Sequence, residues 1–547
     1  MTTGRTALLN NAHFQSWIGI GLTALLLFFS FTPVGHPFVA FIALMPAILA
    51  STQSPDFKVW RAVAFYCSWI LWIGLLLWLR HVYPPLGYIG LIFLTAYCAV
   101  YLFGWLILLR WIFPTTKGAS ILYRCLVLLG VAGAWGTLEW IRGNFLTGFG
   151  WLPLSASQES NPVLLSLCSW VGPYGLSVLL VMINLGLSSW IIRMVRLARE
   201  TQVSKPAGTM DWLSRLTPEL YLGLSPLLLG FVVFGNNIQN RMNYPSYSLS
   251  VGIVQTDFDP NAKWDSFRLE SHLNKISQLT TEVSKPDSKG QRPDFILWPE
   301  AALPLTLNNY RYVQILTELA QNTQTPLVIG AIDKRAGGYT NGVAVVTDRG
   351  ILTPVYAKRH LVPFGEYVPL ASVLPLRKVV PIAEDCLAGD STSLLPVTNR
   401  KGQTFQAGAL VCYEDVFPDL AREHAQAGAD FLLVVTNDAW YGREAGAYQH
   451  ATHSALLAAS TGLPIVRCGN AGWSGSINAT GLSHAVTQSG KPDDTIYFAG
   501  YGITEPLIIK SKDLPHTPWV RYGDWAILLG TGFAAWAIYQ RKRRKLN

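Results

Sequence analysis

Apolar residues fill the first part of the chain in long blocks, at about 16–31, 37–51, 60–79, 87–112, 121–141, 163–192 and 219–235, with one more at 524–540. In lipid a backbone must satisfy its own hydrogen bonds, and a helix of roughly 20 apolar residues does so. The pattern therefore predicts a polytopic helical membrane domain with about eight spans. Pro33 and Gly35 separate the first two blocks, and Gly172, Pro173 and Gly175 interrupt the sixth. The first block has the look of a signal peptide, but the spans that follow it favour a retained anchor.

Between 237 and 520 the period changes. Short apolar runs at 248–255, 295–298, 327–330, 341–346, 405–411, 431–435, 464–467, 473–478, 495–499 and 504–509 predict strands. Stretches of helical character lie at 264–283, 309–321, 416–427 and 449–461. Strands alternating with helices indicate an α/β domain, and a turn at Asp348-Arg-Gly350 adds a hairpin, so the sheets are expected to be mixed. The expected organisation is a membrane domain over 1–236 with about seven helices, an extracytoplasmic domain over 237–520, and a last span with a basic cytoplasmic tail over 521–547.

Composition follows the same division. Charged residues are 14 % of the 547, where soluble proteins carry roughly a quarter. Residues 237–520 have a net charge of −3 and the remainder +12. The basic excess thus belongs to loops around spans, and no basic patch interleaved with aromatics points to a nucleic acid. In an eight-span count Arg5, Lys58, Arg61, Arg110, Lys117, Arg124, Arg193, Arg196, Arg199, Lys205, Arg215 and the 541–545 run share one side, with little beyond Arg80 and Arg142 opposite. The positive-inside tendency makes that side cytoplasmic and places 237–520 outside.

Seven cysteines include three in the domain, Cys386, Cys412 and Cys468. None forms a cluster with metal-ligand spacing. A Cys386–Cys468 disulfide is one possibility, and neither a metal nor a cofactor is implied.

In an α/β sheet, polar residues just after strands collect at one edge and form a site. That rule selects Glu300 after Phe295–Trp298, Cys412 after Ala409–Val411, and Asn437 after Phe431–Val435. A buried domain cysteine is more often inert than reactive. A thiol at a strand end beside acids can instead attack an acyl carbonyl, given a base, a positive charge and oxyanion donors. Glu300 is one candidate base, and His360 is a rival because histidine titrates near neutrality. Lys358 is the candidate positive charge; a purely structural Glu300–Lys358 ion pair fits the composition equally well. His450 and His453 read as packed or helix-supporting residues.

Trp298-Pro-Glu300, Lys358 with His360–Pro369, Cys412-Tyr-Glu414 and Thr436-Asn-Asp-Ala-Trp-Tyr-Gly442 resemble the nitrilase-like carbon–nitrogen hydrolase superfamily. With Glu139-Trp-Ile-Arg142, Gly148-Phe-Gly-Trp151 and the multi-span frame, most of 15–540 is similar to the bacterial apolipoprotein N-acyltransferase family. The resemblance implies an αββα sandwich in which Glu300 is the general base, Lys358 stabilises the tetrahedral intermediate and Cys412 is the nucleophile. It also implies Glu366 as an active-site carboxylate, with Tyr413, Glu414, Asn437 and Trp440 in support.

The implied reaction moves an acyl chain, typically from phosphatidylethanolamine, through a Cys412 thioester to the α-amine of a diacylglyceryl-cysteine on an apolipoprotein. The implied setting is the bacterial inner membrane, with the domain facing the periplasm or cell exterior. Residues 361–376, with Phe364, Tyr367, Val368, Leu370 and Leu374, are a candidate cleft wall or lid. Departures from the family pattern fall at Tyr441, Gly150 and Asp257, and at Ala455–Ser460, where an arginine and a glutamate are common; the last is expected to reshape the acceptor side. A membrane-tethered amidase that uses water is the nearest rival reading. A transporter or structural protein is a further one, disfavoured by the scarcity of ionisable groups within spans.

Overall fold

The structure, a computed structural model, describes residues 12–53, 56–203, 217–261, 263, 265–371, 373, 375, 377, 380, 384–486 and 496–546. Arg5, Lys205, Arg215 and Leu374 lie outside the described residues. The chain divides into two compact units, 1–236 with 522–547, and 237–521.

The first unit is helical. Among the described residues, Leu86–Thr116, Ile121–Thr147, Cys168–Arg199 and Pro218–Met242 are long and apolar enough to cross a membrane, and Phe14–Phe28 and Pro37–Ser51 are shorter apolar helices. The count by these criteria is four, short of the expected eight. The block at 60–79 forms the 19-residue helix Phe57–Leu75, which carries Lys58 and Arg61 and is followed by a 3-10 turn at Leu77–His81. The block at 524–540 runs on as one helix, Trp525–Leu546, into the polar sequence Gln-Arg-Lys-Arg-Arg-Lys. The interruption read at Gly172 is real: its φ is 72° within Cys168–Val203, with Pro173 following.

Between lipid-exposed helices there is little hydrophobic drive, so small residues allow backbones to meet. A Cβ on Gly133 would lie 2.2 Å from the Gly530 carbonyl oxygen, and one on Gly186 would lie 2.8 Å from Gly223 Cα. Several polar groups in this unit are tied to backbone, and Glu219 pairs with the Arg124 side chain. Asn184 donates to Ala40 O (2.8 Å) and accepts from Leu44 N (2.9 Å). Glu139 accepts from Leu154 N (2.8 Å), while Arg142 donates to Trp151 O (2.6 Å) and lies over the Trp72 ring.

The second unit is an αββα sandwich. One six-stranded sheet has the order β13-β2-β3-β4-β5-β6, formed by β2 (Val251–Gln255), β3 (Phe295–Leu297), β4 (Leu327–Arg335), β5 (Gly338–Val346), β6 (Tyr356–Ala357) and β13 (Gly500–Thr504). The other has the order β12-β11-β10-β9-β8-β7, formed by β7 (Leu394–Thr398), β8 (Thr404–Val411), β9 (Phe431–Thr436), β10 (Ile465–Gly469), β11 (Gly475–Ile477) and β12 (Ser483–Ala485). A two-stranded pair, β1 (Tyr247–Ser248) with β14 (Leu507–Ile508), completes the strands. Both sheets are mixed: β2-β3-β4 and β8-β9-β10 are parallel and their flanks antiparallel.

Successive strand residues face opposite sides, and burial follows that alternation. Phe431, Leu433 and Val435 join Val251, Ile253, Val343 and Val345 in the core between the sheets. Leu432 and Val434 face α3 (Pro418–Gln426) and α4 (Ala445–Thr461) through Ala421, Ala425, Ala451 and Ala458. Val254, Ile296 and Ile329 meet α1 (Leu269–Val283) and α2 (Tyr310–Thr323) on the other outer face. The Ala455–Ser460 departure is part of this packing, since Ala455, Leu457 and Ser460 are all buried.

The strand expected at 495–499 lies instead at Gly500–Thr504, and β7 was not foreseen. The possible Cys386–Cys468 bridge is absent. Both thiols are free, and Cys468 Sγ points at the Val254 and Leu297 carbonyls inside the sandwich.

Gly330 on β4 lies directly under the turn after β3. A Cβ there would come within 2.3 Å of Pro299 O and 2.6 Å of Glu300 Cα. Both are backbone atoms, so Gly330→Ala must push the turn outward. Overpacking of this kind costs about 1–3 kcal/mol. Thermal unfolding of the full chain in detergent is expected to show a lower midpoint for Gly330→Ala, and an unchanged midpoint contradicts the packing.

Candidate active site

Glu300 stands in the turn that follows β3, ahead of Ala301 at φ 39°. Lys358 follows β6, with its amide donating to Asn341 O (2.7 Å) and its carbonyl accepting from Gly389 N (2.7 Å). The backbone on each side is therefore fixed, and the fully buried side chain has one direction to take.

Its Nζ lies 2.8 Å from Glu366 Oε2 and 3.9 Å from Glu300 Oε1. Asn341, on β5, joins the two carboxylates by donating to Glu300 Oε1 (2.7 Å) and Glu366 Oε1 (3.2 Å). Glu366 also accepts from Val362 N (2.8 Å), which closes the 362–366 loop on itself. Burial pulls the ammonium's pKa down, but Glu366 and then Glu300 outweigh it and hold the Lys358 pKa above its ordinary value. The ammonium is thus a permanent charge.

Cys412 arrives from the other sheet. It ends β8 and opens a 3-10 turn, Cys412–Val416, with φ at 52°. A non-glycine residue in the left-handed region is strained and is held only by its surroundings. Glu414 supplies much of that hold. Its carboxylate accepts from Val411 N (2.8 Å), Arg359 N (2.6 Å), His360 N (3.1 Å) and the Tyr356 hydroxyl (3.1 Å). One fully buried side chain thereby joins the nucleophile turn to the segment that carries Lys358.

Burial raises the thiol pKa well above the usual cysteine value, Glu300 raises it further, and Lys358 opposes both. The resting group is a thiol, so attack requires a base.

Glu300, Lys358, Glu366 and Cys412 form one electrostatic cluster in the structure. His360, the rival base, stacks its ring on Phe417 with centroids 3.6 Å apart. Tyr413 meets Phe417 edge-on at 4.9 Å. Asn437 is buried and accepts from Asn470 Nδ2 (2.8 Å). Trp440 lies half-buried in the turn Asp438–Tyr441. Asp257 pairs with Arg443 at 2.9 Å. In 361–376, Val368 is buried while Phe364, Leu370 and Val373 are exposed.

Sequence reasoning missed Asn341. Its position in an apolar strand run, Asn341-Gly-Val-Ala-Val-Val346, was the available signal, since a buried amide there needs a polar partner. No group of three or more His, Cys, Asp or Glu side chains that could hold a metal ion occurs among the described residues.

Comparison with known proteins fits both units. Residues 251–492 match the family model described as carbon–nitrogen hydrolase, and residues 23–186 match that described as apolipoprotein N-acyltransferase N-terminal domain. A protein of Geobacter metallireducens named apolipoprotein N-acyltransferase is 29 % identical over 542 residues, 95 % of each chain. One of the same name from Brucella suis is 30 % identical over 366 residues, 65 % of this chain and 64 % of that one. A carbon–nitrogen hydrolase structure from Helicobacter pylori is 18 % identical, with a TM-score of 0.34, covering 52 % of this chain and 95 % of that one.

Removing the ammonium leaves two carboxylates buried beside each other. Breaking a buried pair this way costs about 3–5 kcal/mol. Lys358→Met should therefore unfold at markedly lower temperature near neutral pH. The deficit should shrink as pH falls and the carboxylates take up protons. A deficit independent of pH would show that the loss is one of packing alone.

Proposed function

For a chain that belongs to the apolipoprotein N-acyltransferase family, we propose that the Glu300–Lys358–Cys412 cluster runs a two-stage acyl transfer from a phospholipid to a lipoprotein amine. The chain is a membrane-embedded bacterial enzyme, an acyltransferase with a nitrilase-like catalytic domain, and lipoproteins are its substrates. The finer assignments form the proposal: phosphatidylethanolamine as donor, the roles of individual residues, eight spans, the inner membrane, and a domain over 237–520 facing the periplasm or cell exterior.

In the first stage Cys412 Sγ attacks the carbonyl carbon of the sn-1 ester. Glu300 takes the thiol proton and returns it to the departing glyceryl oxygen, so a lysophospholipid leaves and a thioester remains. Lys358 and the backbone N–H of Tyr413 stabilise the oxyanion of the tetrahedral intermediate. Glu366 and Asn341 hold Lys358 and Glu300 in register.

In the second stage the α-amine of a diacylglyceryl-cysteine attacks the same carbon. The S–C bond breaks, an amide forms, and Glu300 passes the amine's proton to the sulfur. The apolar residues of 361–376 are the wall that shields the thioester from water. Both substrates are lipid-anchored, so an enzyme anchored in the same bilayer searches two dimensions rather than three.

The observation that supports this reading most is the strained Cys412 turn beside a carboxylate–ammonium–carboxylate cluster, in a chain whose flanking helices suit lipid. Basic residues clustered on one side of the spans support the orientation.

Intact-mass analysis of the protein incubated with phosphatidylethanolamine vesicles tests the reading. The wild type should gain one acyl chain, and Cys412→Ala none. Adding a diacylglyceryl-cysteinyl peptide should remove the chain and leave an amide on the peptide. Release of free fatty acid at the same rate with and without the peptide would instead make the enzyme a hydrolase.

A further inference from the structure

Behind the nucleophile turn lies a second charged cluster that the acyl-transfer steps do not use. Asp415, Asp438, His450 and Arg467 are all fully buried. They come from four elements: the Cys412–Val416 turn, the Asp438–Tyr441 turn after β9, helix α4 and strand β10.

His450 Nε2 is 2.8 Å from Asp415 Oδ1, and its Nδ1 is 2.7 Å from Asp438 Oδ1. Arg467 spans the same two carboxylates, through Nη1 to Asp415 and through Nη2 at 3.2 Å to Asp438. Ser454 donates to Asp415 (2.8 Å), and Thr436 donates to Asp438 Oδ1 (2.8 Å). Thr436, which holds Asp438, also pulls the Cys412 pKa down, so the residue that anchors Asp438 acts on the sulfur as well. Tyr441 meets the His450 ring edge-on at 5.8 Å, and His453 on the same helix also lowers the Asp415 pKa.

Two protonation states of His450 compete in this geometry. Arg467 Nη2 is 2.8 Å from His450 Nδ1, which a neutral ring could accept. That neutral ring would set a lone pair against Asp438 Oδ1 at 2.7 Å. A protonated ring stands in ion-pair range of both carboxylates and leaves two negative and two positive charges in balance, and this outweighs setting Nδ1–H against Arg467 Nη2. Burial pulls the imidazole pKa down, but Asp415, and then Asp438, push it up to about 9 against Arg467.

We propose that His450 is a positioning residue for the reaction of Cys412: as an imidazolium clamped between Asp415 and Asp438, it locks the nucleophile turn to the turn after β9 and neutralises the Asp438 charge that the thiol would otherwise feel. The role in acyl transfer rests on the reading above, whereas the effect on the thiol does not. Asp438 raises the Cys412 pKa, and Cys412 in turn acts on Arg467. An unbalanced Asp438 therefore holds the sulfur more firmly in its protonated, unreactive form.

The sign of the pH effect is fixed. The imidazole pKa is raised in the fold from 6.5 to about 9, so its stabilisation is complete below about pH 6.5 and disappears as pH rises toward 9. The unfolding temperature of the wild type should fall across that window by more than that of His450→Gln.

The deciding experiment is the pH profile of Cys412 alkylation by iodoacetamide on the full-length protein in detergent, followed by intact mass. Loss of one buried charge partner is expected to move the profile by about one pH unit, or about tenfold in rate at neutral pH. His450→Gln should move it to higher pH and Asp438→Asn to lower pH. The double variant restores charge balance and should return close to the wild type. A His450→Gln profile that overlies the wild type, or an alkaline shift in Asp438→Asn, overturns the proposal. Should His450→Gln not fold, the direction of the Asp438→Asn shift decides alone. Because alkylation needs no lipid, failure of acyl transfer in the wild type would sink the functional reading and leave this test intact.

Discussion

A single buried ammonium organises the catalytic unit. Lys358 has no water to solvate it, and an isolated charge in such a place is prohibitively costly. It persists because Glu366, Glu300 and Asn341 are brought to it from a loop, the turn after β3 and strand β5. Glu366 is only eight residues along the chain, whereas Glu300 and Asn341 reach the cluster only when the first sheet is assembled. Folding and the catalytic electrostatics are in this sense the same event. The second sheet then presents Cys412 on a left-handed residue, with Glu414 joining the turn to the Lys358 segment. The thiol therefore shares one electrostatic cluster with a carboxylate and an ammonium that the fold holds together.

The other unit answers a different constraint. Its backbones cross at glycines, Gly133 with Gly530 and Gly186 with Gly223, because close approach is what stabilises helices in lipid. Its buried polar groups, Asn184, Glu139 and Arg142, are occupied by backbone partners. Helices of this kind fit an anchor for an enzyme with lipid-borne substrates better than they fit an ion pathway, where such groups would line a route.

The sequence was most readable where physics is local. Strand periodicity placed β3, β8 and β9 within a residue or two, and the strand-end rule picked out Glu300, Cys412 and Asn437 before any relative was considered. Lys358 was legible as a candidate cation or ion-pair partner with its role left open, while Glu366 needed the resemblance, since nothing in a loop announces a buried carboxylate's partner. Asn341 was hidden in a strand. The positive φ of Cys412 is a tertiary result that no local pattern encodes. His450 read as a helix packing residue because its partners Asp415, Asp438 and Arg467 lie 35, 12 and 17 positions away, and only the closed sandwich brings them together. The span count is the least legible part: four helices among the described residues meet a length and hydropathy test, and charged residues such as the basic end of the last helix keep other apolar blocks below it.

The central claim is that Glu300 takes the proton from a sulfur that burial keeps protonated. The most direct measurement is the rate of acyl-enzyme formation on Cys412, followed by rapid-quench intact mass from pH 6 to 9 for the wild type and Glu300→Gln. The account predicts a prompt stoichiometric burst in the wild type. In Glu300→Gln the rate should be at least about 100-fold lower, as loss of general-base catalysis entails, with recovery only as pH approaches the thiol's own ionisation. A burst of equal rate and pH profile in both proteins would contradict it.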